Sequence, residues 1–354
     1  QQVAFERLGV DLSVSVDDGD SALHLVVPRA NLAAAMQLLN DSLSTPRFDA
    51  TTFEQRREKL ALGIEGRVTQ PEFGLVSLMR QAVTSKTSGL GQSESPAAIR
   101  AMSLEAVRAQ ASRCLQPANL VVALTGDLDA AAVREALSSL SARPRGVRVV
   151  HPAPPPAPTT QKVWLSPELH GSRVDIILVG RTPALAPRDR ITGAMLATIL
   201  VSLVHYDLRE TVGHVYSVSA DVETGPGFGI VYVKFSTRSE KALESVRRVL
   251  AELSRWWTNW PVSPQVVESA RHALSNAAAR GLVSTQTLKS AERQLRDGAG
   301  FDERPWARQL DEVRAHHLAD LFVLAFPPGR LQVVVTGAVG SPRDWAQFGQ
   351  VTAP

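Results

Sequence analysis

In the stretch Leu208-Arg209-Glu210-Thr211-Val212-Gly213-His214-Val215-Tyr216-Ser217-Val218-Ser219, a guanidinium and a phenol lie seven positions apart, 216 less 209. Arginine carries five donors in a planar, always charged fork, and tyrosine adds one hydroxyl on a stiff ring. Together they can hold a peptide carbonyl or a carboxylate, or support an oxyanion. A plainer reading makes Tyr216 a half-buried strand aromatic and Arg209 a helix-terminal cation favoured by the macrodipole. No metal motif accompanies the pair. His316 and His317 adjoin on one helix and so point to different faces, while His24, His151, His170, His205, His214 and His272 lack ligand spacing. The chain is therefore expected to bind no metal or other cofactor of its own.

The elements that must position the pair can be read from the same residues. Leu208 and Glu210 close an amphipathic helix, Gly213 supplies a turn where positive φ is cheap, and Tyr216 opens an alternating strand. Both side chains could then face one groove. Upstream, Val174–Val179 reads as a strand and the residues from about Arg188 to Glu210 as a helix.

A proline-rich stretch, His151 to Pro158, fits neither a helix nor a central strand and divides the chain. The two sides share a plan. Pro117 to Leu128, read as a buried strand ended by Thr-Gly, matches Pro328 to Val339 at an offset of 211, 328 less 117. The helix around Phe53–Leu60 matches Val267–Leu274 at 214, 267 less 53, and Leu12–Val16 matches Tyr216–Ala220 at 204, 216 less 12. Strands Leu12–Val16 and Ala22–Val27 flank the turn cluster Asp17-Asp18-Gly19-Asp20 and should pair antiparallel. Leu32, Ala35, Met36, Leu39 and Leu43 form a helical stripe, and Leu243, Val246, Leu250 and Leu253 form its counterpart. Trp256, Trp257 and Trp260 should pack at the end of that second helix.

The fold expected is α+β: two duplicated sandwich domains, each an antiparallel-rich sheet with helices on one side. Their bounds are 1–147 and 163–354, with 148–162 as a proline-rich linker. Only eleven residues precede Leu12, so the first domain is expected to lack its opening strand and helix.

Composition narrows the classes. The chain has 354 residues, 44% of them hydrophobic, enough for two or three domains with cores. Lys plus Arg number 38 against 35 Asp plus Glu, and a net charge of +3 on so large a surface argues little for nucleic acid or anionic membrane as partner, so no nucleic acid is expected. A single cysteine, Cys114, excludes an internal disulfide and a cysteine zinc cage, and its apolar helical setting suggests a buried thiol. No apolar run looks long enough to span a bilayer. Gln1 to Phe5 shows neither a basic nor an apolar signal region, so a targeting segment was removed or never existed.

In this order and spacing, Leu8-Gly9-Val10-Asp11-Leu12, Thr45-Pro46-Arg47-Phe48, Pro117-Ala118-Asn119-Leu120 through Gly126-Asp127, and Leu208-Arg209-Glu210 with Gly213 and Tyr216 resemble the pitrilysin/insulinase-type zinc peptidases. These are the inverzincins, and the closer likeness is to the mitochondrial-processing-peptidase-like branch. The resemblance implies a clamshell of duplicated lobes. It also implies a motif H-x-x-E-H, which does not occur in these residues and in the family falls shortly before the position of Gln1, so that truncation alone would explain its loss, and a third ligand, a glutamate, at the place of Gly63. Glu65, two residues on, lies roughly 200° around the helix and should face elsewhere. Arg209 and Tyr216 match the family's substrate-binding pair. Where members often carry a glycine-rich loop, Ile199–Asp207 has no glycine. The resemblance thus implies a non-catalytic, peptide-binding subunit of a heterodimeric zinc endopeptidase, whose partner is a homologous H-x-x-E-H chain holding the zinc. The alternative is a structural or assembly subunit of the core-protein type. Relatives of this kind favour the periplasm over the cytoplasm.

Overall fold

A computed structural model describes residues 2–16, 21–68, 71–84, 91, 94–150, 155–167, 172–225, 227–280 and 306–352. In chain order the helices and strands are α1 (Gln2–Arg7), β1 (Asp11–Val16), β2 (Ser21–Val26), α2 (Leu32–Ser44), α3 (Ala50–Val68), α4 (Pro71–Val83), α5 (Pro96–Arg100), α6 (Leu104–Cys114) and α7 (Ala130–Ser141). There follow β3 (Lys162–Pro167), β4 (Arg173–Pro183), α8 (Pro187–His205), β5 (Val215–Gly225), β6 (Phe228–Arg238), α9 (Ser239–Thr258) and α10 (Pro264–Arg280). The chain closes with α11 (Trp306–Asp311), α12 (Ala315–Ala325), β7 (Gln332–Gly337), α13 (Pro342–Trp345) and β8 (Gln350–Thr352). Two compact units form. One draws on Gln1–Gly63 and Ser95–Pro152, the other on Ile64–Glu94, Ala153–Arg280 and Glu303–Pro354.

In the first unit β1 and β2 pair antiparallel, with Leu12 opposite Leu25 and Val14 opposite Leu23. Alternation puts these four on one face, and the Leu12–Leu25 end packs on a small core of Phe5, Val10, Ala35, Met36, Leu39, Ala136 and Leu140. The α2 stripe supplies Ala35, Met36 and Leu39 to that core, as its spacing requires. Asp129 caps α7 by accepting from the amides of Ala131 and Ala132 at 2.9 and 2.8 Å. These amide bonds, that of Ala132 first, hold the Asp129 carboxyl below its usual pKa.

Two expectations fail in this unit. Leu120 to Leu124 is not a strand, and Val121 and Val122 are 41% and 43% exposed. A strand exists only where a neighbour accepts its ladder, and among the described residues of this unit the strands are β1 and β2, which pair with each other. Cys114 is half-buried rather than buried. It ends α6, a helix with no fully buried residue, and the Gln110 amide donates to its sulfur at 3.2 Å. The turn Asp17–Asp20 and residues 151–154 of the proline-rich stretch lie outside the described residues.

The second unit is built on a six-stranded sheet in the order β5-β6-β4-β7-β3-β8. From β5 through β6 and β4 to β7 each successive pair is antiparallel, whereas β3 lies parallel to β7 and β8. β4 and β7 are buried on both faces, which is why Val174-Asp175-Ile176-Ile177-Leu178-Val179 and Gln332-Val333-Val334-Val335 read as nearly unbroken apolar runs. Val174, Ile176, Leu178, Val233, Phe235, Val333 and Val335 turn to the main core, where α8, α9, α10 and α12 gather. The tryptophans close it: Trp256 meets Trp260 edge-on with ring centroids 5.8 Å apart, and Trp257 donates to the Phe326 carbonyl at 2.7 Å.

The opposite face also carries a helix. Leu75, Leu78, Met79, Ala82 and Val83 of α4 cover Ile177, Val179, Phe228, Ile230 and Val334. Arg181 ties that helix end down, donating to the Val83 carbonyl at 2.9 Å while lying 4.5 Å from the Phe228 ring centroid. Among the described helices, Asp189–Thr211 is long and apolar enough to cross a membrane, contrary to the sequence reading. However, 56% of its apolar window is buried, and it packs on the sheet as a core helix.

Tyr232 of β6 packs beside α4, and its pKa is raised to about 12, first by burial and then by Glu223 and Asp221. The native fold thus keeps the proton that an unfolded chain gives up near the ordinary phenol pKa of about 10, so stability should fall as the pH climbs from there to about 12. Absorbance titration of the phenols should show one ionisation near 12 that vanishes in Tyr232→Phe. If the variant retains that step, burial of Tyr232 is not its cause.

Candidate functional site

Ile191, Met195, Leu196, Ile199, Leu200 and Val204 bury one side of α8 against β5 and the main core. The helix then widens into a π-turn over Tyr206–Thr211, so the glycine-free stretch Ile199–Asp207 is continuous helix rather than loop. Gly213 ends the turn at φ 63°. The closing bonds run from the His214 amide to the Leu208 carbonyl at 2.7 Å and from the Gly213 amide to the Arg209 carbonyl at 3.1 Å. Each spans one residue more than in an ordinary Schellman closure, because the π-turn inserts one.

That extra residue separates neighbours of opposite character. Leu208 is fully buried, while the Arg209 side chain is 44% exposed. Two tethers hold the turn in place. Asp207 takes a two-pronged grip from Arg248 of α9, one prong at 3.0 Å from Nε, and this bond raises the pKa of Arg248. His214 has a buried ring whose Nδ1 lies 3.2 Å from the Ser245 hydroxyl, and its carbonyl accepts from Thr237 at 2.8 Å. Asp207 and Arg248 are 41 residues apart and no local pattern links them, so sequence reasoning missed them.

Arg209 and Tyr216 come together. Nη1 of Arg209 donates to the Tyr216 carbonyl at 2.8 Å, and the guanidinium carbon lies 5.1 Å from the Tyr216 ring centroid. Glu210 stands 3.8 Å from the Arg209 Nε. Tyr216 is 82% exposed, so the plain reading of a half-buried strand aromatic does not hold for it. Between Val215 and Val218, β5 breaks register against β6, which places Tyr216 and Ser217 in a bulge. One bond and one cation–π stack thus orient the guanidinium from behind, leaving an arginine fork and a phenol side by side at the surface. Such a pair can donate to a carbonyl or carboxylate.

Gly63 lies on the exposed side of α3, whose buried positions nearby are Ala61 and Ile64, and a Cβ there would meet nothing within 4 Å. Glu65 is exposed too. Among the described residues no group of three or more His, Cys, Asp or Glu is placed to hold a metal ion. His316 and His317 meet edge-on with centroids 4.1 Å apart, and His24 is engaged by Ser15 at 2.9 Å. His151 and His170 lie outside the described residues. A zinc site needs three protein ligands, and Gly63, where the resemblance puts the third, has no side chain to offer one.

Comparison with known proteins places this architecture. In solved structures the fold recurs in a peptidase M16 inactive domain from Pseudomonas fluorescens, with a TM-score of 0.82, 16% identity, and coverage of 96% of this chain and 84% of that one. A protease from Helicobacter pylori gives 0.81 at 13% identity, covering 95% and 83%. The periplasmic protease PqqL from Escherichia coli gives 0.74 at 11% identity, and there the match covers 95% of this chain but only 38% of PqqL. At such identities the likeness is one of fold. Comparison with curated proteins finds no match. Residues 101–274 match the sequence model of the Peptidase M16 inactive domain, a span that runs from α6 through the Arg209–Tyr216 turn into α10. Over that span the chain is similar to the Peptidase M16 inactive domain, and over nearly its whole length it shares the fold of solved M16 proteins.

Proposed function

We propose that this chain is the substrate-binding subunit of a heterodimeric zinc endopeptidase of the processing-peptidase-like branch, in which Arg209 and Tyr216 grip the main chain of an extended peptide. The observation that carries the reading is the oriented, solvent-facing pair, with the Arg209 fork 2.8 Å from the Tyr216 carbonyl and the Tyr216 ring 82% exposed. A subunit with a purely structural role has no use for a phenol held out to solvent beside a braced cation. The partner is a homologous chain with H-x-x-E-H, whose zinc would polarise the scissile carbonyl and activate water. The part played by this chain is to position the peptide and to donate hydrogen bonds toward charge developing on the substrate.

β5 is an edge strand of the sheet, and a peptide can add to such an edge through main-chain hydrogen bonds. The proposed lobes are residues 1–147 and 163–354, joined by the proline-rich linker. The proposed compartment is the periplasm, where one protein of the same fold, PqqL, resides.

The test is co-purification with candidate H-x-x-E-H homologues, followed by peptide cleavage with and without this chain. Cleavage that needs both chains supports the reading. A partner equally active alone removes it. Metal analysis of the isolated chain belongs with the assay, because stoichiometric, tightly held zinc would contradict the division of labour.

A further inference from the structure

The sheet face that carries α4 is apolar at one end and charged at the other. Toward the end of β6, Lys234, Ser236 and Arg238 alternate on that face, and across the ladder Ile177, Asp175 and Arg173 of β4 stand opposite them. Arg173 and Arg238 are thus direct cross-strand partners, like charges facing each other, an arrangement that costs stability unless something negative sits between or above them. Asp175 answers the charge of Arg173 and not that of Arg238. It is 1% exposed, and its Oδ1 accepts from Arg173 at 3.0 and 2.8 Å, which braces the arginine from below. The Ser236 hydroxyl accepts from Arg173 at 3.0 Å and reinforces that hold. The Arg173 side chain is 60% exposed, Arg238 is exposed, and among the described residues Arg238 pairs with no carboxylate.

Within the described ladder this patch sets three cations, Arg173, Lys234 and Arg238, beside one carboxylate, Asp175. Other carboxylates on the face, Asp221 and Glu223, sit farther along β5 opposite Tyr232 and Ile230, and Glu223 faces Arg80 at 3.7 Å. α9 begins one residue after Arg238, so its N-terminus adds positive potential, offset in part by Glu240. The patch also adjoins the candidate site. The β5 bulge with Tyr216 and Ser217 falls between the pairings of Val215 with Thr237 and Val218 with Phe235, beside Ser236.

We propose that Arg238, with Arg173 and Lys234, forms a subsite for a carboxylate of the bound peptide, either an acidic side chain or the chain terminus. The inference rests on the peptide-binding reading and gives the substrate a chemical class. Anisotropy titrations of the whole chain with labelled extended peptides test it. In one arm a single Asp is scanned along the peptide against Asn twins, and in the other the free C-terminus is compared with its amide. Wild type should bind the matching carboxylate roughly tenfold tighter than its neutral twin at low ionic strength, the scale of one charge-assisted hydrogen bond. Arg238→Gln should cut that preference below about twofold.

Equal binding of acidic and neutral twins by wild type, or full preference in Arg238→Gln, overturns the subsite. Loss of all peptides with Arg209→Ala, whatever their charge, reports on the main reading instead. Should no peptide bind, titration with glutarate decides. A rise in thermal midpoint in wild type that is absent in Arg238→Gln upholds the carboxylate site while the peptide reading falls, and no rise in either defeats the site.

Discussion

Replacing Arg209 by alanine should lower the turnover of the proposed two-chain peptidase by about 100- to 1000-fold, on the order of 2.7–4 kcal/mol, the range measured when one oxyanion-hole donor is removed. The expectation follows from how the guanidinium is held. Its Nη1 is committed to the Tyr216 carbonyl and its face to the Tyr216 ring, so it waits at the surface already oriented. A donor that needs no reorganisation at the moment of reaction contributes most to rate. The loss should therefore fall on kcat and kcat/KM together. A rise in KM alone would mean that Arg209 only binds substrate uniformly. Arg209→Lys keeps the charge but loses the fork and should recover only a small part. Tyr216→Phe leaves the carbonyl acceptor and the ring platform in place and removes only the hydroxyl, so its smaller loss isolates the phenol. Unchanged kcat/KM in Arg209→Ala, with the partner present and the fold intact by circular dichroism, would remove the pair from the mechanism.

That pair was legible in the sequence because its positioning is local. An apolar helical stripe, a glycine able to take positive φ and an alternating strand lie within a dozen residues, and each follows from backbone and burial rules. The hairpin β1–β2, the α2 and α9 stripes and the doubly buried β4 and β7 were legible for the same reason. What stayed hidden depends on partners distant in sequence. Leu120–Leu124 has the composition of β7, yet pattern states only what a segment can pair as, not whether a neighbour is there to pair with. The π-turn, the Asp207–Arg248 grip and the Arg173–Arg238 opposition all require knowing which strand or helix lies alongside. The packing of α4 on the second face of the sheet follows likewise from contacts between residues near 80 and near 180, which no local period encodes.

Gly180→Ala should be among the most destabilising single-methyl changes in the second unit, although the residue touches nothing in the candidate site. Gly180 lies in β4 where α12 crosses, and an ideal Cβ there would fall 1.6 Å from the Ala325 carbonyl oxygen and 2.6 Å from its carbon. The obstacle is backbone, so no rotamer change relieves it. Ala325 ends α12 inside the main core, between Phe322 and Phe326, whose rings stack 5.3 Å apart. Accommodating a methyl group means moving that helix end, and overpacking of this kind costs on the order of 3 kcal/mol. For a unit of this size that corresponds to a fall in Tm of roughly 6–12 °C. Gly63 provides the contrast. It is helical and exposed, and a Cβ there has open space, so Gly63→Ala should stabilise by about 0.5–1 kcal/mol through helix propensity alone. Thermal and urea denaturation of the two variants should therefore move in opposite directions. A Gly180→Ala midpoint equal to that of wild type would mean that α12 does not lie against β4 as described, and the packing that fixes the sheet beneath Arg173 and Asp175 would have to be redrawn.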